Sequence, residues 1–165
     1  MLLLFAVLLA ACQWIEEPTA PAIGLPVELF ECAGGDQQPQ TARLVGVTDG
    51  DTITVEMDGL RYRVRYIGIN APEFDSDEED LAQLATDLNR QLVEGQTLTL
   101  YRDTSETDRF DRLLRFVFAG DVFVNHELVL RGVARARDYP PDSACKDTLQ
   151  QAELEARTNQ VGIWR

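Results

Sequence analysis

Apolar and polar positions alternate through Thr52-Ile53-Thr54-Val55 and again through Tyr62-Arg63-Val64-Arg65-Tyr66, the two-residue period of half-buried strands. Leu44-Val45-Gly46-Val47 is a β-rich run ahead of them, set off by Asp49-Gly50-Asp51, and Asp58-Gly59 signals a hairpin between the two alternating runs. On the second run Tyr62, Val64 and Tyr66 share one face while Arg61, Arg63 and Arg65 share the other. The period then lengthens. Leu81, Leu84, Leu88 and Leu92 recur at helical spacing, Ser76 and Glu79 form a capping box ahead of them, and Gly95 closes the helix. Residues 97–101 and 113–118 read as strands, and Ala119-Gly120-Asp121 as a turn into residues 122–124. Asn125 caps a short helix ending at Gly132. A last helix runs from about Lys146 to Thr158 with Leu149, Ala152 and Ala156 on one side, and Ile163-Trp164 docks back on the core. Strands first, with helices between and after them, predict an α+β fold built on a small barrel.

The N-terminus breaks this pattern. Residues 2–11 are wholly apolar, too short to span a bilayer at roughly 20 residues but the right length for the apolar core of a signal peptide. Leu9-Ala10-Ala11-Cys12 resembles the cleavage box of bacterial lipoproteins, which makes Cys12 the expected lipidation site and 1–11 the signal. The plainer alternative is a secretory signal with an incidental cysteine. Residues 12–42 carry prolines at 18, 21, 26 and 39, five acids between 13 and 42, and no base, the composition of a tether. The domain is then expected over 43–165. With Cys12 acylated, Cys32 and Cys145 have only each other, and an oxidising compartment favours a disulfide over two buried thiols. The expected product is exported, membrane-anchored or secreted, and monomeric.

Composition narrows the chemistry. The chain has 165 residues, enough for one domain, with 15 basic and 28 acidic side chains and a net charge of −13. His126 is the single histidine, which excludes multi-histidine zinc sites and proton shuttling through a histidine pair. Carboxylates and guanidiniums are abundant, which favours their chemistry together with a hard, oxygen-seeking cation. The acidic balance argues against tight, nonspecific binding of nucleic acid.

Four segments together change that picture. They are Val47-Thr48-Asp49-Gly50-Asp51-Thr52; Val64-Arg65-Tyr66-Ile67-Gly68-Ile69-Asn70-Ala71-Pro72-Glu73; Thr107-Asp108-Arg109-Phe110-Asp111-Arg112-Leu113-Leu114-Arg115-Phe116; and Val124-Asn125 through Gly132-Val133-Ala134, followed by Gly162-Ile163-Trp164. In order and spacing they resemble the staphylococcal nuclease-like (thermonuclease) family over residues 43–165. The resemblance implies a five-stranded OB-fold β-barrel with about three helices and Ca2+-dependent cleavage of DNA and RNA, leaving 3′-phosphate ends.

It also implies roles. Asp51 becomes a direct Ca2+ ligand with Asp49 close behind it, joined by the amide oxygen of Asn70 and the backbone carbonyl of Ala71. The best-known members of the family have an aspartate where Asn70 stands, so weaker Ca2+ binding is expected. Glu73, fixed behind Pro72, becomes the general base for the attacking water. Arg65 and Arg112 become the grip on the nonbridging phosphate oxygens, since a planar guanidinium binds bidentately. The plainer reading of Arg112 is an ion pair with Asp111 or Asp108. Arg109 and Phe110 match positions contacting the terminal phosphate and base, and Tyr139 is a candidate for base stacking. Asp111 stands where the family has glycine; aspartate tolerates the left-handed conformation, though its charge lies beside Arg112. A noncatalytic OB-fold module binding nucleic acid or a protein is the alternative. His126 receives no role.

Overall fold

Asp58 and Gly59 both adopt positive φ, 52° and 78°, the two-residue turn whose twist matches the strands it joins. The computed structural model describes residues 31–33, 38–74 and 78–165. In chain order its elements are β1 (Gln40–Asp49), β2 (Thr52–Met57), β3 (Leu60–Tyr66), β4 (Ile69–Asn70), helix α1 (Glu79–Val93), β5 (Thr97–Tyr101), β6 (Leu113–Ala119), β7 (Val122–Phe123), α2 (Val124–Leu130), β8 (Arg135–Ala136) and α3 (Lys146–Thr158), with a 3-10 turn at Gly162–Trp164. The hairpin pairs β2 with β3, β1 bridges β2 and β5, and β5 pairs with β6. Parallel pairing of β3 with β6 closes the ring into a five-stranded barrel. β4 and β8 form a separate two-stranded sheet.

The alternation read from the sequence sets which side chains fill the barrel. Val64 and Tyr66 are buried while Arg61 and Arg63 are exposed. Ile53, Val55, Leu98, Leu100 and Phe116 complete the interior, and Phe118 stacks on Phe123 at 4.7 Å between ring centroids. Two register shifts in β1, between Leu44 and Gly46 and between Val47 and Asp49, bend that strand toward the rim. β1 starts at Gln40, and Ala42 is buried, so the barrel reaches three residues into the span expected to be tether.

Two helical expectations are corrected. α1 buries its leucine stripe only in part: Leu84 is exposed, Leu88 and Leu92 are half-buried against the core, and the deepest face is Ala82, Ala85, Thr86, Asn89 and Val93. Small residues lie underneath because the helix runs very close to the barrel. A Cβ on Gly50 would meet the Cβ atoms of Ala71 and Ala85 at 2.6 Å each. The N-cap is Glu78, without a side-chain capping bond, and Ser76 lies outside the described residues. Gly95, at φ 74°, follows the helix end as expected. Asn125 is likewise not a cap, since α2 begins one residue earlier with Phe123 as its N-cap. Its fully buried amide accepts from Val117 N at 2.9 Å and donates to Ile67 O at 2.9 Å, tying α2 to β6 and to the loop after β3. α3 follows the sequence reading, burying Leu149, Ala152 and Ala156.

Cys32 and Cys145 are disulfide-bonded, with Cα atoms 5.0 Å apart and a sequence separation of 113. Closing so long a loop restricts the unfolded chain, so reduction or a Cys32→Ser/Cys145→Ser double change is expected to cost about 4–5 kcal/mol. Urea unfolding with and without reductant measures this.

Candidate active site

Gly50, where a Cβ would collide with Ala71 and with Ala85 in the middle of α1, brings the chain close to that helix and leaves Asp51 at the position just before β2. Asp51 is buried. Its Oδ2 accepts from Ala71 N at 2.7 Å and pairs with Arg65 Nη2 at 3.0 Å, while Oδ1 takes a longer 3.3 Å bond from Thr52 Oγ1. Asp49 Oδ1 accepts from Asp51 N at 3.0 Å. Burial dominates the electrostatics and pushes the Asp51 carboxyl up to about 7, with Arg65 and the Ala71 N–H pulling against it and Asp49 adding to it. The Arg65 ion pair and the Ala71 N–H thus offset only part of the cost of burying this carboxylate.

Arg65 organises the adjoining loop. Its Nη1 donates to the carbonyls of Tyr66 and Ile69 at 2.9 and 3.0 Å, and its Nη2 to Asn70 Oδ1 at 3.2 Å. Asn70 Nδ2 in turn donates to the carbonyl of Ala71 at 3.3 Å. One guanidinium thus gathers Asp51 and Asn70, and through Asn70 the Ala71 carbonyl. The oxygen donors are two carboxylates, an amide and a carbonyl, the hard set that suits Ca2+. Among the described residues no group of three or more His, Cys, Asp or Glu is placed to hold a metal, so a cation here depends on Asn70 and Ala71 as well as Asp51.

The second arginine is held differently. Arg112 Nε donates to Asp108 Oδ2 at 2.7 Å, and Nη2 lies 2.7 Å from the same oxygen. Of the two ion pairs open to it from the sequence, the structure forms the one with Asp108. Although burial pushes the Asp108 carboxyl up, hydrogen bonds from Arg112 and from Phe110 N hold it below the ordinary carboxylate range. Asp111, at φ 58°, supplies the left-handed residue that closes this turn, and its N–H reaches Asp108 O at 3.2 Å. Arg65 has committed both Nη groups within the protein, whereas Arg112 keeps Nη1 without a protein partner among the described residues.

Arg65, Asn70, Glu73, Arg109, Phe110, Arg112 and Tyr139 line one cleft of about 570 Å3. Phe110 is half exposed, with the Arg109 and Arg112 guanidiniums 4.7 and 5.5 Å from its ring centroid. Tyr139 is also exposed, on a turn closed by Asp142 N donating to Tyr139 O at 3.0 Å. Asp49, Asp51 and Ala71 are not on the cleft wall but join it through Arg65 and Asn70. Cys12 lies outside the described residues.

Several residues that hold this site escape sequence reasoning. Asn89 on α1 accepts from Tyr66 Oη at 2.8 Å and donates to Asp49 O at 2.9 Å, fixing the turn that carries Asp49. Asp142 Oδ1 accepts from Thr104 N and Ser105 N at 3.0 and 2.7 Å, tying the Tyr139 turn to the segment after β5. Arg115, fully buried, binds Gln40 Oε1 at 2.8 Å and the carboxylate of Glu106, which anchors the loop bearing Arg109 and Arg112. Their partners are remote in sequence; the only local sign is a polar residue where the pattern calls for an apolar one.

A closed five-stranded barrel flanked by helices, with its cleft on the rim, is an OB-fold α+β domain. A family model described as staphylococcal nuclease homologue matches residues 63–165, and this chain belongs to that family. It is 31% identical to a thermonuclease of Staphylococcus intermedius over 138 residues, covering 82% of each chain. It is 32% identical to a thermonuclease of Staphylococcus hyicus over 139 residues, again 82% of each. Identity to endonuclease YncB of Bacillus subtilis is 32% over 142 residues, 80% of this chain and 67% of that protein.

Proposed function

We propose that this protein is an extracytoplasmic Ca2+-dependent nuclease that cleaves DNA and RNA by in-line attack of water, leaving 3′-phosphate ends. The observation that carries the reading is the meeting of Arg65, Arg112 and Glu73 on one cleft beside the buried carboxylate of Asp51, which Arg65 holds in an ion pair. Asp51, Asn70 and the Ala71 carbonyl, with Asp49 behind them, would hold Ca2+, whose charge offsets the repulsion between a phosphodiester and the incoming oxygen. Glu73 takes a proton from the attacking water as its oxygen bonds to phosphorus. Arg112, oriented by Asp108 and with Nη1 open, donates to the nonbridging oxygens as negative charge accumulates on them, and Arg65 joins it by exchanging part of its loop contacts for the phosphate. The bond to the 5′-oxygen breaks, that oxygen takes a proton from solvent, and the phosphate stays on the 3′ side. Phe110 offers an apolar shelf to a base, with Tyr139 on the same cleft wall. Export, with acylation at Cys12, is supported by the apolar leader and by a disulfide suited to an oxidising compartment.

The test incubates the protein with single-stranded DNA and with RNA while Ca2+ is titrated against an EGTA control. Absence of Ca2+-dependent cleavage at every concentration would favour a noncatalytic binding module. Asn70→Asp restores a third acidic oxygen group beside Asp51 and is expected to lower the half-saturating Ca2+ roughly tenfold, since ligand charge tunes Ca2+ affinity. An unchanged requirement would remove Asn70 from the metal site.

A further inference from the structure

Ten of the fifteen basic side chains are ion-paired with carboxylates, as befits so acidic a chain. The five without such a partner among the described residues are Arg61, Arg63, Arg109, Arg137 and Arg165. Three of the five gather beside the cleft. Arg109 lies over Phe110 in the cleft, and Arg63 Nη2 donates to Phe110 O at 3.0 Å. Arg61 is the next residue on the same outward face of β3. Arg137 lines a separate small cavity with Lys146 and Leu149, and Arg165 is the last residue.

Arg61, Arg63 and Arg65 therefore form a row leading away from the cleft. Residues of one strand face recur at about 6.7 Å, comparable to the phosphate repeat of an extended single strand. Across the hairpin the row faces Glu56, Thr54 and Thr52 in register, and Glu56 is neutralised by Arg43 at 3.0 Å. Asp58, exposed at the turn, ends the row. A protein carrying −13 that leaves its uncompensated guanidiniums in line with a phosphate site has built a local path for a polyanion.

We propose that the outward face of β3 is an extended substrate track, on which Arg63 and Arg61 take successive phosphates of a single-stranded polynucleotide whose scissile phosphate lies at Arg65 and Arg112. The inference rests on the nuclease reading of the cleft and adds a length requirement to it. Both arginines reach the backbone alone, so the track is indifferent to base sequence.

The test compares the full chain with its Arg61→Gln/Arg63→Gln double variant, using Arg90→Gln, paired with Asp87 on α1, as a charge-matched control. Cleavage is measured on an oligothymidylate of about sixteen nucleotides and on a trinucleotide, and binding of the fluorescent longer strand is titrated in EGTA at several salt concentrations. The double variant is expected to lose roughly tenfold of its kcat/KM preference for the longer strand. Its binding slope of log K against log salt should fall by about 1.4, two single-strand phosphate contacts. Equal losses on both substrates, an unchanged slope, or the same loss in Arg90→Gln would overturn the track. If the unaltered protein cleaves neither substrate, the nuclease reading falls while the salt titration still decides the track.

Discussion

Glu73→Gln is expected to lower kcat for Ca2+-dependent cleavage by about 10²–10⁴-fold, the usual contribution of a positioned general base. The amide keeps the shape of the side chain and loses the capacity to take a proton. Glu73 is exposed on the cleft, so the change should leave the thermal midpoint nearly unmoved. KM should also move little if, as proposed, the arginines and Phe110 hold the substrate. The other carboxylates lining the cleft are poor substitutes: Asp108 is committed to Arg112 and held below the ordinary range, and Asp142 accepts two backbone N–H groups. A loss smaller than tenfold in single-turnover cleavage would move the base to another group.

Asp51→Asn is expected to act in opposite directions on activity and on stability. Cleavage at any Ca2+ concentration should fall to background. The metal-free fold, in contrast, should become more stable at neutral pH. Burial pushes the Asp51 carboxyl up to about 7, against about 4 in the unfolded chain. Between those values the folded state holds a proton that the unfolded state has released. Its contribution to stability is therefore present at low pH and is lost as pH rises toward 7. Asparagine still accepts from Ala71 N and Arg65 without a charge to bury. In EGTA at pH 8 the variant should gain about 2–4 kcal/mol, and the gain should shrink toward pH 4. Added Ca2+ should raise the melting temperature of the unaltered protein and leave that of the variant where it was. Equal stability of the two proteins at pH 8 in EGTA would contradict the description of Asp51 as a buried carboxylate whose burial cost Arg65 only partly offsets.

The parts of the fold legible in the sequence are those coded locally. Asp58-Gly59 fixes a hairpin because two adjacent positive φ angles are needed there, and the alternation from Arg61 to Tyr66 separates the arginine face from the core. α3 begins at Lys146 and ends at Thr158, as its periodicity and termini indicate. α1 shows where such reasoning stops. Its leucines mark an apolar stripe, but the distance to the barrel is set by Gly50, and at that distance only Ala82, Ala85 and small neighbours fit underneath. Asn125 has the local look of a cap, yet its partners are Ile67 and Val117, which nothing within a helical turn announces. In the site, resemblance to the family's motifs pointed to Arg65, Glu73 and Arg112. The anchors behind them, Asn89, Arg115 and Asp142, depend on contacts across the barrel and have no local signature.

The parallel pairing of β3 with β6 has a consequence for the cell that makes this protein. That pairing sets Arg65 opposite Leu114 and so brings the arginine of one strand to the loop carrying Phe110 and Arg112. Before it forms, the carboxylates and guanidiniums of the cleft lie on separate stretches of a loose chain. Under the nuclease reading, a chain still emerging from the ribosome or crossing a membrane carries every reacting group and no hydrolytic power.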